Sequence, residues 1–409
     1  MIRMETVVPP RNIDEFVPNA DRLLVKRYHG DGGDKLYLSA LSPQDFSLSE
    51  DHENIDLSFY KRDHPVDIAV GTCRGLLYFD NYEGEIVLCN PTTKELKFLP
   101  PPKMECDPNV TAFFGTGLGY NWYSDDYKVV RNFGHGYYDE DGSYCGSKDV
   151  TELYSLKSDS WKEIPSPDDA IQCESGTYVS GSCYWTGVIS SGFGVVSFDF
   201  ITESFVSFPL PQSSKHLDYI YDLFVVHDML GAIGYPRPQV SETHESPKIF
   251  GVSKSFELWV WKERSWAKSF VVSLCDVERP LGLKDGRFLF LEKKTSHQLS
   301  QLIVYDSKTK ELEKLDIYDY PEHMKVTCYS ESKVSLPDAK PINRRRMTRR
   351  RKKRTMKKSW PMFEMMLKVR SRRKKTMRRK RMIQTINHYP HHPGIKEVEL
   401  RPPENPPLL

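Results

Sequence analysis

The sequence lacks the long hydrophobic run that a membrane-spanning helix needs. No stretch approaches about 18 consecutive apolar residues, and the N-terminal segment MIRMETVVPPRNIDEF has no apolar centre of a secretion signal. The eight cysteines stand singly, without the CxxC or HxxxH spacings that build zinc sites. We therefore expect reduced, mostly buried thiols, no membrane contact, and a location in the nucleus, the cytoplasm or both.

Catalytic motifs are also missing. No GxSxG, HExxH or Walker sequence occurs, and the twelve histidines show no arrangement of base and nucleophile. Residues 115–119 (GTGLG) superficially suggest a nucleotide loop, but the third glycine comes one residue early and Tyr-Asn-Trp follows instead of a helix. A turn that leads into a strand explains these glycines better. The sequence therefore predicts no enzymatic activity and no cofactor.

Two acidic or histidine-rich segments resemble metal sites only weakly. The run Asp139-Glu140-Asp141-Gly142 offers oxygen ligands for calcium but lacks the alternate spacing and the closing Glu of an EF-hand loop. His388, His391 and His392 lie in a proline-rich terminal tail, where a solvated cluster is the favoured interpretation. We expect no bound metal.

Charge is strongly segregated along the chain. Residues 344–381 hold 21 Lys and Arg against one acid, Glu364, a balance of +20. Since the whole chain carries a formal charge of +2, the remainder has a balance of −18. A basic tail is therefore attached to an acidic body, and the basic isoelectric point gives no reason to expect nucleic-acid binding by the body.

Helical periodicity is absent between residues 35 and 320, where short runs alternate between apolar and polar residues instead. Such alternation predicts strands. In the clearest units, a strand ending in an aromatic residue or Cys precedes a polar four-residue turn, and Trp, Phe or Leu follows on the returning strand. The five units, each a predicted hairpin, are 86–100 (IVLCNPTTKELKFLP), 151–165 (TELYSLKSDSWKEIP), 195–209 (VVSFDFITESFVSFP), 256–270 (FELWVWKERSWAKSF) and 302–317 (LIVYDSKTKELEKLDI).

The spacing of these units favours a β-propeller. It is near the roughly 40–50 residues of a propeller blade, with irregular loops accounting for the excess. We predict an all-β, propeller-like array of antiparallel hairpins, with a disordered basic C-terminal tail. A pair of β-sandwiches is the alternative that the same strands allow.

Short motifs recur in a fixed order between about residues 70 and 310. They are 71–77 (GTCRGLL), 90–95 (NPTTKE) with Leu99-Pro100, 117–120 (GLGY), 125–130 (DDYKVV), 154–164 (YSLKSDSWKEI), Trp185, 197–199 (SFD), 209–211 (PLP), 258–262 (LWVWK) and 302–306 (LIVYD). This set resembles the plant type 1 F-box-associated domain, kelch-like and including the S-locus F-box-like subgroup. The resemblance implies a β-propeller that binds a target protein for an SCF-type ubiquitin ligase.

The helical F-box that usually opens members of this family is not recognisable. Residues 16–38 (FVPNADRLLVKRYHGDGGDKLYL) resemble the stretch that follows it, so we expect the chain to start after the F-box, which makes a Skp1-type adaptor a doubtful partner. The expected segments are an N-terminal remnant 1–34, the propeller-like domain 35–320, a linker 321–343, the basic low-complexity segment 344–381 and a proline-rich disordered tail 382–409.

Binding residues are expected on inserts that interrupt the repeat, because loops on a rigid scaffold often carry function. These inserts are 134–147, 212–221 and 236–247, rich in Gly, Tyr and charge. From them we select Tyr137, Tyr138, Asp139, Tyr144, His216, Tyr219, Arg237 and His244 as candidate partner-binding residues. Aromatic residues inside the repeat are expected to pack the blades rather than to anchor an interface, namely Trp161, Trp185, Phe205, Trp259 and Trp266.

The basic segment contains two cationic clusters suited to nuclear import. Their core residues are Arg349, Arg350, Arg351, Lys352, Lys353, Arg354, Arg378, Arg379, Lys380 and Arg381. Alternatively, the basic segment is an inert low-complexity tail or the product of a reading-frame artefact.

The leading functional hypothesis is non-catalytic binding of an unidentified target protein. A nuclear protein whose basic tail binds nucleic acid non-specifically is the second hypothesis. A carbohydrate-binding or glycosidase propeller is the third, and it requires two carboxylates that face one pocket.

Overall fold

The computed structural model describes residues 21–29, 35–42, 44–48, 55–56, 69–80, 85–101, 111–138, 144–171, 175–211, 219–236, 253–295, 299–319 and 324–341. These residues form strands and turns, and no helix occurs among them. Within this described part, no helix is long and apolar enough to cross a membrane.

The strands of the first half are short near the N-terminus and longest between residues 111 and 155. They are β1 (Asp21–His29), β2 (Lys35–Leu41), β3 (Ile55–Asp56), β4 (Ala69–Cys73), β5 (Leu76–Asp80), β6 (Ile86–Asn90), β7 (Glu95–Phe98), β8 (Thr111–Asn121), β9 (Asp126–Tyr138), β10 (Tyr144–Ser155), β11 (Ser160–Ile164), β12 (Ala170–Ile171) and β13 (Thr177–Val179).

The strands of the second half continue the same pattern of neighbouring antiparallel pairs. They are β14 (Ser182–Ile189), β15 (Gly192–Asp199), β16 (Ser204–Pro209), β17 (Tyr219–Val226), β18 (Met229–Pro236), β19 (Ser253–Lys262), β20 (Ser265–Cys275), β21 (Val277–Lys284), β22 (Phe288–Lys294), β23 (Ser300–Asp306), β24 (Leu312–Asp319), β25 (Lys325–Ser330) and β26 (Lys340–Pro341).

Six antiparallel sheets form the blades of a six-bladed β-propeller, which confirms the predicted fold class. We number the blades along the chain and give the strands of each in order from the axis outwards. In blade 4, β12 and β13 both lie on the axis side of β14. Blade 1 is β25-β1-β2-β3, blade 2 is β4-β5-β6-β7-β26, blade 3 is β8-β9-β10-β11, blade 4 is β14-β15-β16 with β12 and β13 both paired to β14, blade 5 is β17-β18-β19-β20 and blade 6 is β21-β22-β23-β24.

The C-terminal strands close the ring. β25 pairs with β1 and becomes the innermost strand of blade 1, and β26 pairs with β7 at the outer edge of blade 2. The propeller therefore includes strands outside the expected limits 35–320, because β1 precedes residue 35 and both closing strands fall in the segment expected to be a linker.

The five predicted hairpins are present as the third and fourth strands of blades 2 to 6. The large residue after the turn is buried in blades 2 and 3, where Leu96 is 3% exposed and Trp161 is 4% exposed, and partly buried in blades 4 and 5, as Phe205 and Trp266. Blade 6 differs, since Leu312 is 38% exposed and Leu315 and Ile317 enter the core in its place.

Aromatic side chains fill the spaces between blades. Trp161 lies in a cluster with residues of blade 2, and its Nε1 donates to the carbonyl oxygen of Pro100 at 2.9 Å. Trp266 of blade 5 makes the equivalent contact with blade 4, because its Nε1 donates to the carbonyl oxygen of Pro209 at 2.8 Å. The buried Trp185 donates to the Thr116 carbonyl of blade 3 at 3.3 Å.

Two further aromatic residues selected from the repeat occupy different environments. The ring of Phe205 lies 4.8 Å from that of Phe198 within blade 4. Trp259 is partly exposed, and the ammonium of Lys268 lies 4.6 Å from its ring centre.

The glycines of segment 115–119 belong to strand β8, the innermost strand of blade 3, and not to a phosphate-binding loop. A Cβ at Gly117 would lie 2.5 Å from Cys183 Sγ, and one at Gly119 would lie 2.0 Å from the ring of Phe200. Glycine is required here because blade 4 packs directly onto the backbone of β8.

The described cysteines form no disulfide: Cys73, Cys89 and Cys183 are buried, Cys328 is partly exposed and Cys275 is exposed. Among the described residues, no group of three or more His, Cys, Asp or Glu could hold a metal. The acidic run from Asp139 and the terminal histidine group both lie outside the described residues.

Candidate functional site

The two ends of the propeller are built from different connections. Because strands alternate in direction, the first-to-second and third-to-fourth connections of every blade lie at one end, which we call the turn end. The second-to-third connections and the links between blades lie at the opposite end, which we call the loop end. Each connection can therefore be assigned to an end from the strand order alone.

The turn end consists mainly of short polar turns. Asn90, Asp199 and Asp306 occupy equivalent positions, and the side-chain oxygen of each accepts the backbone N–H groups two and three residues further on. Such capping fixes a tight turn without tertiary support. Each of these turns contains one residue in the left-handed region, namely Lys94, Glu203 and Lys310.

Residues 331–339, which we call the strap, run from β25 to β26 along the turn end of blade 2. The Asn90 amide donates to the carbonyls of Ser332 and Val334 at 3.0 and 2.6 Å. Glu95 accepts the backbone N–H of Leu336 at 2.9 Å, and this bond is the main cause that lowers the pKa of Glu95. Leu336 is 2% exposed within the core between blades 2 and 3.

The strap gives a structural role to the NPTTKE motif. Asn90 and Glu95 bind it directly, and the Thr92 hydroxyl accepts from the Ser332 N–H at 3.3 Å. Gly75 of the GTCRGLL motif leaves room for it, because a Cβ there would lie 2.3 Å from Ser332 Cβ. Residues of the NPTTKE and GTCRGLL motifs thus hold the strap, which follows NPTTKE by about 240 positions in the sequence.

Both ends of the described chain also lie at the turn end. Asp21, the first residue of β1, pairs with Ser330 at the turn end of β25, and Arg22 forms an ion pair with Glu331 at 2.5 Å. Pro341 pairs with Glu95 next to the turn of blade 2. Neither the first nor the last residue of the described chain therefore lies at the loop end.

The loop end carries most of the long connections. The strands on both sides of each segment reach this end, whereas the segments themselves lie outside the described residues. They are 30–34, 57–68, 81–84, 102–110, 139–143, 212–218, 237–252, 296–298 and 320–323.

The predicted partner-binding residues all belong to connections or strand ends at the loop end. Tyr137 and Tyr138 end β9 and Tyr144 begins β10, so the insert 134–147 includes an extension of a β-hairpin. Tyr219 is the first residue of β17, and its ring centre lies 6.3 Å from that of Tyr221. The others lie outside the described residues, in segments that connect strands at this end: Asp139, His216, Arg237 and His244.

Charged and polar side chains from several blades meet at the axis near the loop end. Lys325 of blade 1 donates to the Ser175 hydroxyl of blade 4, the opposite blade, at 3.1 Å. In blade 5, the Tyr235 hydroxyl donates to Asp222 at 2.9 Å. We call this group, together with Arg279 of blade 6, the axial cluster.

Electrostatics in the axial cluster are dominated by burial. Burial raises the pKa of the Asp222 carboxyl, while the Tyr235 hydroxyl and the charges of Arg279 and Lys325 act in the opposite direction. Burial is also the main cause of the raised pKa of Tyr235. The cluster joins four blades.

Arg279 was not selected from the sequence. Its partner Glu292 follows thirteen positions later on the next strand, and only the register of β21 and β22 places the two opposite each other. Lys325 lies in the segment 321–343, which was expected to be a linker. The nuclear-import residues 349–354 and 378–381 lie outside the described residues.

Comparison with known proteins agrees with this architecture. The family model described as "F-box associated beta propeller domain" matches residues 38–336. F-box protein CPR1 of Arabidopsis thaliana is 27% identical over 294 residues, which cover 64% of this chain and 66% of that protein. A putative F-box/kelch-repeat protein of the same plant is 28% identical over 210 residues, 49% of this chain and 50% of that protein.

The matched regions thus span two thirds or less of these relatives, and the family assignment rests on the propeller. The family match covers more than half of the chain and reaches every blade, leaving out only β1, the first residues of β2 and β26. This protein belongs to the F-box-associated β-propeller family.

Proposed function

We propose that this chain binds a target protein through the loop end of its propeller, as the target-recognition part of an SCF-type ubiquitin ligase. Family membership points to a substrate-recognition module of such ligases. To this family assignment we add three proposals: that the chain binds a target, that it does so with the loop end, and that it does not catalyse a reaction.

We choose the loop end as the binding end because of one observation. Connections rich in tyrosine, glycine and charge lie at the loop end, whereas the turn end holds tight capped turns, the strap and both described chain ends. A rigid scaffold with adaptable loops at one end suits protein recognition, since tyrosine supplies contact area at small entropic cost.

The position of Asp21 also suggests an orientation within a ligase. Any segment that precedes β1 enters the propeller at the turn end, so an F-box with a Skp1-type adaptor would approach from that side. The loop end would then face away from the adaptor, towards the target. The role of the propeller is to position the target, and the ligase partners supply the chemistry.

Affinity capture from plant extract tests this proposal. The full-length chain is compared with a variant in which residues 237–252 are replaced by Asn-Gly, which leaves a short connection between the paired strands β18 and β19. The matched control is the turn-end variant Tyr123→Ala, which removes an aromatic side chain that is 82% exposed. We expect a discrete partner with the wild type and the control, and its loss with the loop-end variant. Equal capture by all three proteins would contradict the choice of end.

The basic segment 344–381 supports a second candidate, nuclear import with non-specific attraction to nucleic acid. Its balance of +20 predicts strongly salt-dependent binding. Deleting this segment is expected to abolish nucleic-acid binding and nuclear accumulation while the propeller stays folded. Retention of both properties in the deletion variant would reject this candidate.

A further inference from the structure

Arg279 lies next to the axis at the loop end, where blade 6 meets blade 1. It is the third residue of β21, the innermost strand of blade 6. Gly282, three residues further along, packs against Val326 of β25, so that a Cβ there would lie 2.6 Å from the Val326 carbonyl oxygen. Arg279 therefore lies closer to the loop end than this packed layer.

The guanidinium of Arg279 is held in place but keeps donors available. Its Nε donates to Glu292 Oε2 at 2.6 Å, and its Nη2 donates to the Met324 carbonyl at 3.3 Å. These bonds use two of the five N–H donors of a guanidinium. The Arg279 side chain is 31% exposed, whereas that of Glu292 is 1% exposed. The buried Glu292 carboxylate thus holds a guanidinium that stays partly exposed near the loop end of β21.

A fixed, partly exposed arginine is a favourable anchor for an anion, because its fork matches carboxylate and phosphoryl oxygens and little entropy is lost on binding. Lys325 adds a second cation on the neighbouring strand. The acid Asp222 interacts with both cations, and burial raises its pKa. These cations also contrast with the rest of the chain outside 344–381, which has a balance of −18.

We propose that Arg279 anchors an anionic group of the target protein, a carboxylate or a phosphoryl group, at the loop-end mouth of the axis. The idea that a target protein binds there rests on the proposed function above. The anion site itself does not, because it can be tested with small ions.

Blade 6 offers a matched control. Arg287, in the turn between β21 and β22, also pairs with an acid: its Nε donates to Asp306 Oδ1 at 2.8 Å, and its side chain is 38% exposed. Arg279 and Arg287 thus belong to the same blade, have similar exposure and each pair with an acid, Arg279 through one hydrogen bond and Arg287 through two. They lie at opposite ends. A purely structural ion pair predicts the same behaviour for both.

The first experiment labels full-length protein with phenylglyoxal and measures modification of each arginine by mass spectrometry. Phosphate and succinate are the two probes, at ionic strength matched with sodium chloride. We expect saturable protection of Arg279 by at least one probe, several-fold beyond that of Arg287. Protection that is absent, or equal at both arginines, overturns the anion site. Because each arginine is read separately, the basic tail does not obscure the result.

The second experiment compares target capture by the wild type, Arg279→Gln, Arg279→Lys and Arg287→Gln. We expect Arg279→Gln to weaken capture at least about tenfold, as for an interface hot spot, and Arg287→Gln to leave it unchanged. Arg279→Lys, which keeps a cation beside Glu292, should stay folded yet bind weakly because it lacks the fork. Circular dichroism checks folding, and equal capture by folded Arg279→Lys and the wild type overturns the role of the fork.

Phosphatase treatment of the extract separates the two anion sources. Loss of capture assigns a phosphoryl group, and unchanged capture together with the Arg279→Lys effect assigns a carboxylate. If the wild type captures nothing, the proposed function fails, while the labelling experiment still decides whether Arg279 binds anions.

Discussion

The turn end and the loop end of this propeller share the same strands but use sequence in different ways. At the turn end, short polar motifs cap their own turns and hold the strap, so side chains there support the fold. At the loop end, long connections follow strands that are already fixed, so their sequences can vary with little effect on folding. The comparison indicates that the recognisable motifs of the chain report stability, and under the proposed function target choice would lie in the segments between them.

Removing the apolar anchor of the strap should give the largest effect on stability. Leu336→Asp places a charge in the core between blades 2 and 3, where Leu336 is 2% exposed. We expect a loss of about 4 kcal/mol or more, since an unpaired buried charge adds to the lost packing. Urea denaturation measures the loss. Lys333→Asp, an exposed change in the same strap, is the control and should have little effect.

Asn90 allows capping of the turn to be separated from binding of the strap. Asn90→Ala removes both functions and should cost about 2–3 kcal/mol, because two carbonyls of the strap and the turn amides lose a partner. Asn90→Asp keeps the oxygen that accepts from Thr92 and Thr93 but loses the donors to the strap. The Asp variant also places a carboxylate oxygen against the Ser332 and Val334 carbonyls at a buried position. If Asn90→Asp unfolds at a higher urea concentration than Asn90→Ala, capping outweighs this repulsion. If it unfolds at a lower concentration, binding of the strap accounts for the motif.

Two carboxyl groups should show opposite pH dependence. At the turn end, the hydrogen bond from Arg287 lowers the pKa of Asp306, so its stabilising contribution is present above the unfolded pKa of about 3.9 and declines as pH falls below it. In the axial cluster, burial raises the pKa of Asp222, so the folded state loses stability as pH rises from about 3.9 through the raised pKa.

Thermal unfolding between about pH 3 and pH 7 measures these slopes, because this range includes the titration of an unfolded aspartate at about pH 3.9. Relative to the wild type, Asp306→Asn should become less stable as pH rises, and Asp222→Asn should become more stable. The same sign of slope for both variants would contradict the assigned environments.

Shortening a connection at the loop end should have the smallest effect on stability. Replacing residues 237–252 by Asn-Gly removes sequence between β18 and β19, whose register is fixed by their own pairing. Because the entropy of loop closure changes slowly with length, we expect stability within about 1 kcal/mol of the wild type. A larger loss would show that this segment supports the fold and would weaken the contrast between the two ends.

The sequence predicted the fold well where local signals sufficed. The five hairpins combine strand alternation with a polar turn, both of which are visible within fifteen residues or so. Closure of the ring could not be predicted in this way: β25 and β26 are short, and their partners β1 and β7 lie far away in the sequence. The role of Asn90 and Glu95 in holding the strap was hidden for the same reason.

Prediction of the candidate site was partial. Tyr137, Tyr138, Tyr144 and Tyr219 were selected from composition, and the strand order shows that they belong to one end. Arg279 had no local signal, since its role depends on the register with β22 and on its nearness to blade 1. Pairing of distant strands brings such residues to the axis, and a single sequence does not record that pairing.

Hydrogen–deuterium exchange of the full-length protein, free and bound to its captured partner, tests the central claim most directly. The account predicts that protection gained on binding is concentrated in loop-end peptides, including residues 134–147, 212–221 and 237–252. Turn-end peptides, including residues 90–95 and the strap, should exchange equally in both states. Protection confined to the turn end would contradict the claim that the loop end binds the target.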